Sequence, residues 1–111
     1  MILPDFIRAL PRLELPLPDD QVTANAVRSD QGLVVFFTFH KDTNLPPHAH
    51  KAQWGSVLSG TIELTIDGKS RTCSPGETYT IPSGAVHSVR IPAGTVVMDV
   101  FEEPDRYPLK V

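Results

Sequence analysis

The sequence predicts an all-β domain, a sandwich or barrel of short strands. Eleven prolines and seven glycines punctuate the 111 residues, placing turn signals at intervals of about ten residues. Between them lie short runs rich in Val, Ile and Thr, side chains that fit a pleated surface. No internal stretch carries a helical period of useful length, and no repeat or low-complexity segment interrupts the pattern.

Residues 1–20 read as an N-terminal arm, broken by Pro4, Pro11, Pro16 and Pro18, with a short helical turn at Asp5–Leu10. Leu13, Leu15 and Leu17 alternate with Glu14 and Pro16, so one side of the arm is apolar. It packs on its own barrel or pairs with a neighbour, and Pro16 restricts it to a sheet edge. An exposed apolar edge of this kind predicts a homodimer in which a second copy covers it.

Residues 21–111 read as a single barrel domain. Residues 22–29 and 31–39 form a hairpin about Ser29-Asp30-Gln31-Gly32. Leu33 to Phe39 is apolar on both faces, which predicts central burial. Residues 53–59 and 61–67 continue the sheet, with Ile62, Leu64 and Ile66 on one face and Thr61, Glu63 and Thr65 on the other. Asp67-Gly68 is the strongest hairpin signal, since both positions tolerate the positive φ of a type I′ turn. A return strand ends at Ser74-Pro75-Gly76, and residues 77–81 put Tyr79 and Ile81 on one face. Pro82-Ser83-Gly84 turns the chain into a strand on which His87, Val89 and Ile91 share a face opposite Ser88 and Arg90. Pro92-Ala93-Gly94 turns it again into Thr95–Phe101, and polar residues 102–111 run along the outside.

Composition narrows the function. A net charge of −3 without a Lys/Arg cluster predicts no nucleic-acid footprint. No apolar run approaches the roughly 20 residues of a membrane span, and the N-terminus lacks the pattern of a signal peptide. The single cysteine, Cys73, has no disulfide partner, which predicts a reducing cytoplasm. With no basic neighbour to lower its pKa, Cys73 reads as a small semi-buried residue before a turn.

The chemistry-bearing residues are histidines. His48 and His50, at i and i+2, project to one face of an extended strand that Pro46 and Pro47 hold straight. His87, on an inward face, supplies a third imidazole. Three imidazoles on two strands make a mononuclear metal site with an open position.

This spacing resembles the two motifs of the cupin superfamily. His48-x-His50-x-x-Gln53 with Gly60 follows the first, and Gly76, Pro82, Gly84 and His87 follow the second. The resemblance implies a jelly-roll, or double-stranded β-helix, barrel and one divalent transition metal (Zn, Ni, Fe or Mn). It implies His48, His50, His87 and Gln53 as ligands, the glutamine standing where the family has a glutamate. Asn44 replaces the opening glycine of the first motif, and Ile91 the closing asparagine of the second. Because Gln53 has the opposite strand parity to the histidines, a turn or bulge must bring it inward. Three neutral imidazoles and an amide leave a divalent cation its full charge, which favours an anionic ligand.

Asp99 shares a face with Val97 and Phe101, costly surroundings for a carboxylate unless it is paired or functional. It is the candidate catalytic residue, moving a proton. The alternatives are a face turned to solvent, or a hydrogen bond from a metal-bound histidine. Asp99-Val100-Phe101 followed by Arg106 is similar to the C-terminal end of small cupins that linearise unsaturated uronates, where the aspartate is the acid/base. Lys51, Glu77 and Arg90 lie off the inward faces. Trp54, Tyr79, Phe37 and Met98 line a pocket or fill the core. His40 reads as a surface or hydrogen-bonded residue.

The leading function is a metal-binding protein acting on a small anionic metabolite, such as a sugar acid or keto acid, by isomerisation, tautomerisation or ring opening. The alternatives are an iron dioxygenase and a non-catalytic binding or sensor module.

Overall fold

A computed structural model describes residues 1–110; Val111, the last residue of the expected barrel domain, lies outside the described residues. Nine strands form among the described residues, and their ranges follow the turn signals closely. They are β1 (Val22–Ser29), β2 (Gly32–Phe39), β3 (Thr43–His48), β4 (Gln53–Ser59) and β5 (Ile62–Ile66), then β6 (Lys69–Cys73), β7 (Thr78–Ile81), β8 (His87–Ile91) and β9 (Val96–Phe101). A four-residue helix, Asp5–Arg8, is the helical turn of the arm.

The strands form two sheets. A five-stranded sheet runs β1-β2-β9-β4-β7 and a four-stranded sheet runs β3-β8-β5-β6, with antiparallel neighbours throughout. Their inward faces enclose one core, in which Val35, Val57, Leu64 and Ile81 are almost inaccessible. The result is the jelly-roll barrel that the motifs imply.

The tight turn at Asp67-Gly68 is of the expected kind, with φ of 48° and 82° between the paired Ile66 and Lys69. Cys73, at the end of β6, is wholly buried in the core rather than half-buried.

Two expectations about the sheets are corrected. β4 and β5 do not continue one sheet. Gly60, at φ 79°, turns the chain from the five-stranded sheet to the four-stranded one, and a Cβ there would strike Thr95. β2 is buried on only one face: Leu33, Val35, Phe37 and Phe39 point inward, while Val34, Phe36 and Thr38 are half-buried on the outer side.

The arm's apolar side is turned onto its own barrel. Leu13 is buried and its N–H donates to the Ala24 carbonyl, while Leu15 and Leu17 pack against the core. On the arm's other edge run the last described residues: Glu14 N–H donates to Pro108 and Lys110 N–H to Arg12, each at 2.8 Å. A Lys110–Asp19 ion pair closes this seam. The apolar edge on which the expected homodimer rested is thus partly covered within the chain: Leu13 is buried, while Leu15 and Leu17 stay half-exposed. Leu13→Ala should cost about 2–5 kcal/mol, read as a lowered denaturation midpoint. An unchanged midpoint would mean that the arm is detached in solution.

Candidate metal centre

Proline chemistry shapes the first half of the site. Neither Pro46 nor Pro47 has an N–H to donate to β8, and the β3–β8 register shifts between Leu45 and His48. After the shift His48 pairs directly with His87, and their rings lie 4.2 Å apart between centroids. His50 is not on a strand, contrary to the parity argument; it lies in the loop beyond β3. That loop carries it back toward the other two, with ring centroids 5.4 Å from His48 and 4.8 Å from His87.

Two anchors hold the His50 loop. The Gly84 N–H donates to the His50 carbonyl at 2.8 Å, tying the loop to the turn that precedes His87. From the other side, Glu103 accepts the Lys51 N–H at 2.8 Å and Glu102 accepts the Ala52 N–H at 3.1 Å. Nothing in the sequence distinguished Glu102 and Glu103 from other surface acids; their role exists only because β9 ends beside the loop.

Each imidazole has one nitrogen already committed. Nδ1 of His48 lies 2.8 Å from the Pro46 carbonyl, that of His50 2.6 Å from the Lys51 carbonyl, and that of His87 2.9 Å from the Ala85 carbonyl. A carbonyl only accepts, so each Nδ1 carries the proton and each Nε2 keeps its lone pair. The candidate ligand atoms of the three residues all lie within 4.8 Å of one another. Burial first, and then neighbouring positive charge (Arg106 and His48 at His50; His48, His50 and Arg106 at His87), hold both below the usual histidine range. Neutral imidazoles converging on one point are a donor set that fits a divalent transition ion.

Gln53 opens β4 after the turn at residues 50–52, and that turn resets its parity. Paired with Phe101 and Ile81, it faces inward like Gly55 and Val57. Its amide lies beside the Asp99 carboxylate, near enough to pull that carboxyl's pKa down. A carboxylate only accepts, so the NH2 is the end turned toward it and the amide oxygen is left for another partner.

Asp99 is buried, 5% exposed, on the inward face with Val97 and Phe101. The solvent-facing alternative is thereby excluded. So is a hydrogen bond from the histidine Nδ1 atoms, all three of which are engaged elsewhere. Burial pushes the Asp99 carboxyl up to about 6, against the pull of the Tyr79 hydroxyl and the nearby Gln53 amide. The Tyr79 hydroxyl donates to Oδ1 at 2.6 Å, and the same burial and negative neighbour push its own pKa upward.

This hydrogen bond crosses a strand. Gly55 is paired with Tyr79 on one side and Asp99 on the other, so the phenol reaches over the glycine. A Cβ at Gly55 would collide with Asp99 Oδ1 and the Tyr79 ring and hydroxyl. Gly55→Ala should therefore cost about 1–3 kcal/mol and push the two side chains apart. Wild-type stability in this variant would show that the pair has room to spare.

The remaining candidates divide. Phe37 and Tyr79 line the internal cavity; Trp54, 40% exposed, and Met98 lie on the outer face of the five-stranded sheet. Their strand parity is opposite to that of Gln53 and Asp99. Lys51, Glu77 and Arg90 are exposed. His40 is exposed and bonds Thr23 Oγ1 at 3.1 Å. Arg106 stacks over the Tyr107 ring at 4.6 Å, close enough for its charge to act on His50 and His87. The cavity, about 80 Å³, opens among the three histidines, Gln53 and Asp99 and runs into the barrel.

A family model described as "Cupin domain" matches residues 35–101. Among curated proteins, the mannose-1-phosphate guanylyltransferase of Escherichia coli K12 is 36% identical over 55 residues, covering 50% of this chain and 11% of that protein. Its counterpart in Klebsiella pneumoniae is 34% identical over 55 residues, covering 50% and 12%. The chain thus spans about a tenth of the length of the curated relatives it matches. Among solved structures, an RmlC-like cupin from Shewanella frigidimarina superposes with a TM-score of 0.75 at 20% identity, over 89% of this chain and 87% of that one. KdgF from Halomonas sp. gives 0.68 at 21%, over 82% and 86%. An oxalate decarboxylase of B. subtilis gives 0.68 at 21%, over 88% and 28%. At these identities the structural likeness establishes the fold.

Proposed function

The chain belongs to the cupin family, and we propose that it is a mononuclear metal protein that moves a proton on a small anionic, carbonyl-bearing metabolite. The supporting observation is the convergence, in one cavity, of three histidines with free Nε2 lone pairs and a buried carboxylate. His48, His50 and His87 would hold the metal, with the Gln53 amide oxygen as fourth ligand. When bound, such an ion supplies Lewis-acid polarisation of a carbonyl and a positive charge for a carboxylate.

The chain's own residues do the rest. Asp99 takes a proton from the carbon beside the carbonyl and returns it to a neighbouring atom, giving tautomerisation, isomerisation or ring opening. With a pKa of about 6 it is mostly ionised at neutral pH and still basic enough to abstract. Tyr79 orients it through Oδ1, leaving Oδ2 for the substrate. Gln53 would join the two halves of the site, its NH2 turned to Asp99 and its oxygen offered to the metal. A glutamate there would set two carboxylates against each other, which accounts chemically for an amide at this position.

Deuterium exchange tests this reading. Metal-loaded protein in D2O with a panel of keto and uronic acids should exchange the proton next to the carbonyl, without consuming oxygen. Oxygen uptake with any of these acids would favour the dioxygenase alternative. Binding without exchange or turnover would favour a sensor.

A further inference from the structure

Resting on the reading just given, we infer that the cavity takes a small 2-oxo acid with a short apolar tail, not a polyhydroxylated sugar acid. Polar side chains gather at one end of it. His48, His50, His87, Gln53 and Asp99 surround the entrance to the barrel, and the Tyr79 hydroxyl is already bound to Asp99. Beyond them the walls change character. On β8, His87, Val89 and Ile91 share the inward face and step into the barrel at intervals of about 7 Å; all three line the cavity. Behind Asp99 on β9 comes Val97, and behind Leu64 on β5 comes Ile62.

The arm adds to this apolar lining. Leu15 and Leu17, with Leu45 and Tyr107, are only half-buried and line the same cavity. A ligand whose charged end sits at the histidines must lay the rest of its chain against these groups. Hydroxyls on that chain would lose their water without gaining partners, apart from the one Tyr107 hydroxyl. The space for a tail inside the barrel is small, about 80 Å³, which suits a short chain. The arm thereby gains a purpose its sequence did not reveal: Leu15 and Leu17 form part of the cavity wall.

Calorimetric titration of the metal-loaded protein with a homologous series provides the test. From pyruvate through 2-oxobutanoate to 2-oxopentanoate, affinity should rise about fourfold per methylene and then level off as the cavity fills. 4-Hydroxy-2-oxopentanoate should bind about 10- to 100-fold more weakly than 2-oxopentanoate. Leu17→Ser and, separately, Val89→Ser should weaken 2-oxopentanoate about tenfold while leaving pyruvate binding and metal content unchanged. A flat series, or equal binding of the hydroxylated acid or of galacturonate, would overturn the inference and leave the proton-transfer reading standing. If no 2-oxo acid binds but galacturonate does, the inference falls alone; if neither class binds, the proton-transfer reading falls with it.

Discussion

His87→Ala should take the purified protein from near one equivalent of divalent metal per chain to near none. The side chain is 2% exposed, paired across the sheet with His48, and its Nδ1 is held by the Ala85 carbonyl. Its ring is therefore already aimed, and no neighbour is positioned to replace it. His50→Ala should behave similarly. Its loop remains tied through main-chain bonds of Gly84, Lys51 and Ala52, so the fold should survive the loss. Elemental analysis gives the metal content, and circular dichroism checks the fold. Adding metal to stripped wild-type protein at 100 times its dissociation constant should raise stability by about 2.7 kcal/mol. Because burial depresses the pKa of His50 and His87, protons should compete with the metal only at pH values below the usual histidine range. Full metal content in both variants would remove the trihistidine site from the account.

Asp99→Asn should lower turnover about 10²- to 10⁴-fold with metal content unchanged, and at the same time make the protein more stable at neutral pH. The second effect follows from the sign of the shift. The folded pKa, about 6, lies above the unfolded value near 3.9. The stability linked to this group is fully present below about pH 4 and is lost as pH rises through about 6. Above that, the buried charge costs up to about 3 kcal/mol. Asparagine keeps an oxygen for the Tyr79 hydroxyl and carries no charge, so most of this cost disappears. A pH–rate profile that loses its acid limb together with a raised melting temperature at pH 7–8 would fit a proton-transferring carboxylate. Loss of metal would instead make Asp99 a support for the ligands through Gln53. Full activity would end its assignment as the proton carrier.

The recognisable parts of the site were those set by short-range pattern. Pro46-Pro47 before His48 and His50, and the spaced Gly76, Pro82, Gly84 and His87, are local signals, and the structure brings the three histidines together. Parity along β9 correctly put Asp99 inside with Val97 and Phe101, because strand alternation holds within a single regular element. Parity misled at His50, where the strand ends and a loop takes over. The same alternation put Met98, between Val97 and Asp99, on the outer face, whereas the outward orientation of Trp54 followed only once the turn at residues 50–52 had set the parity of β4.

The sequence by itself determined the strand set, the turns at Asp67-Gly68 and Pro82-Gly84, and the residue types at the site. Each of these depends on side chains and φ preferences within a few residues of one another. Only the tertiary structure decided which strands pair, so that β4 and β5 part at Gly60 into different sheets. It alone laid the arm's leucines on their own barrel and set Glu102 and Glu103 as clamps on the His50 loop. It also brought Tyr79 across Gly55 to Asp99. These contacts join residues far apart in the chain, chosen by which apolar faces can be buried together, and no local pattern encodes that choice.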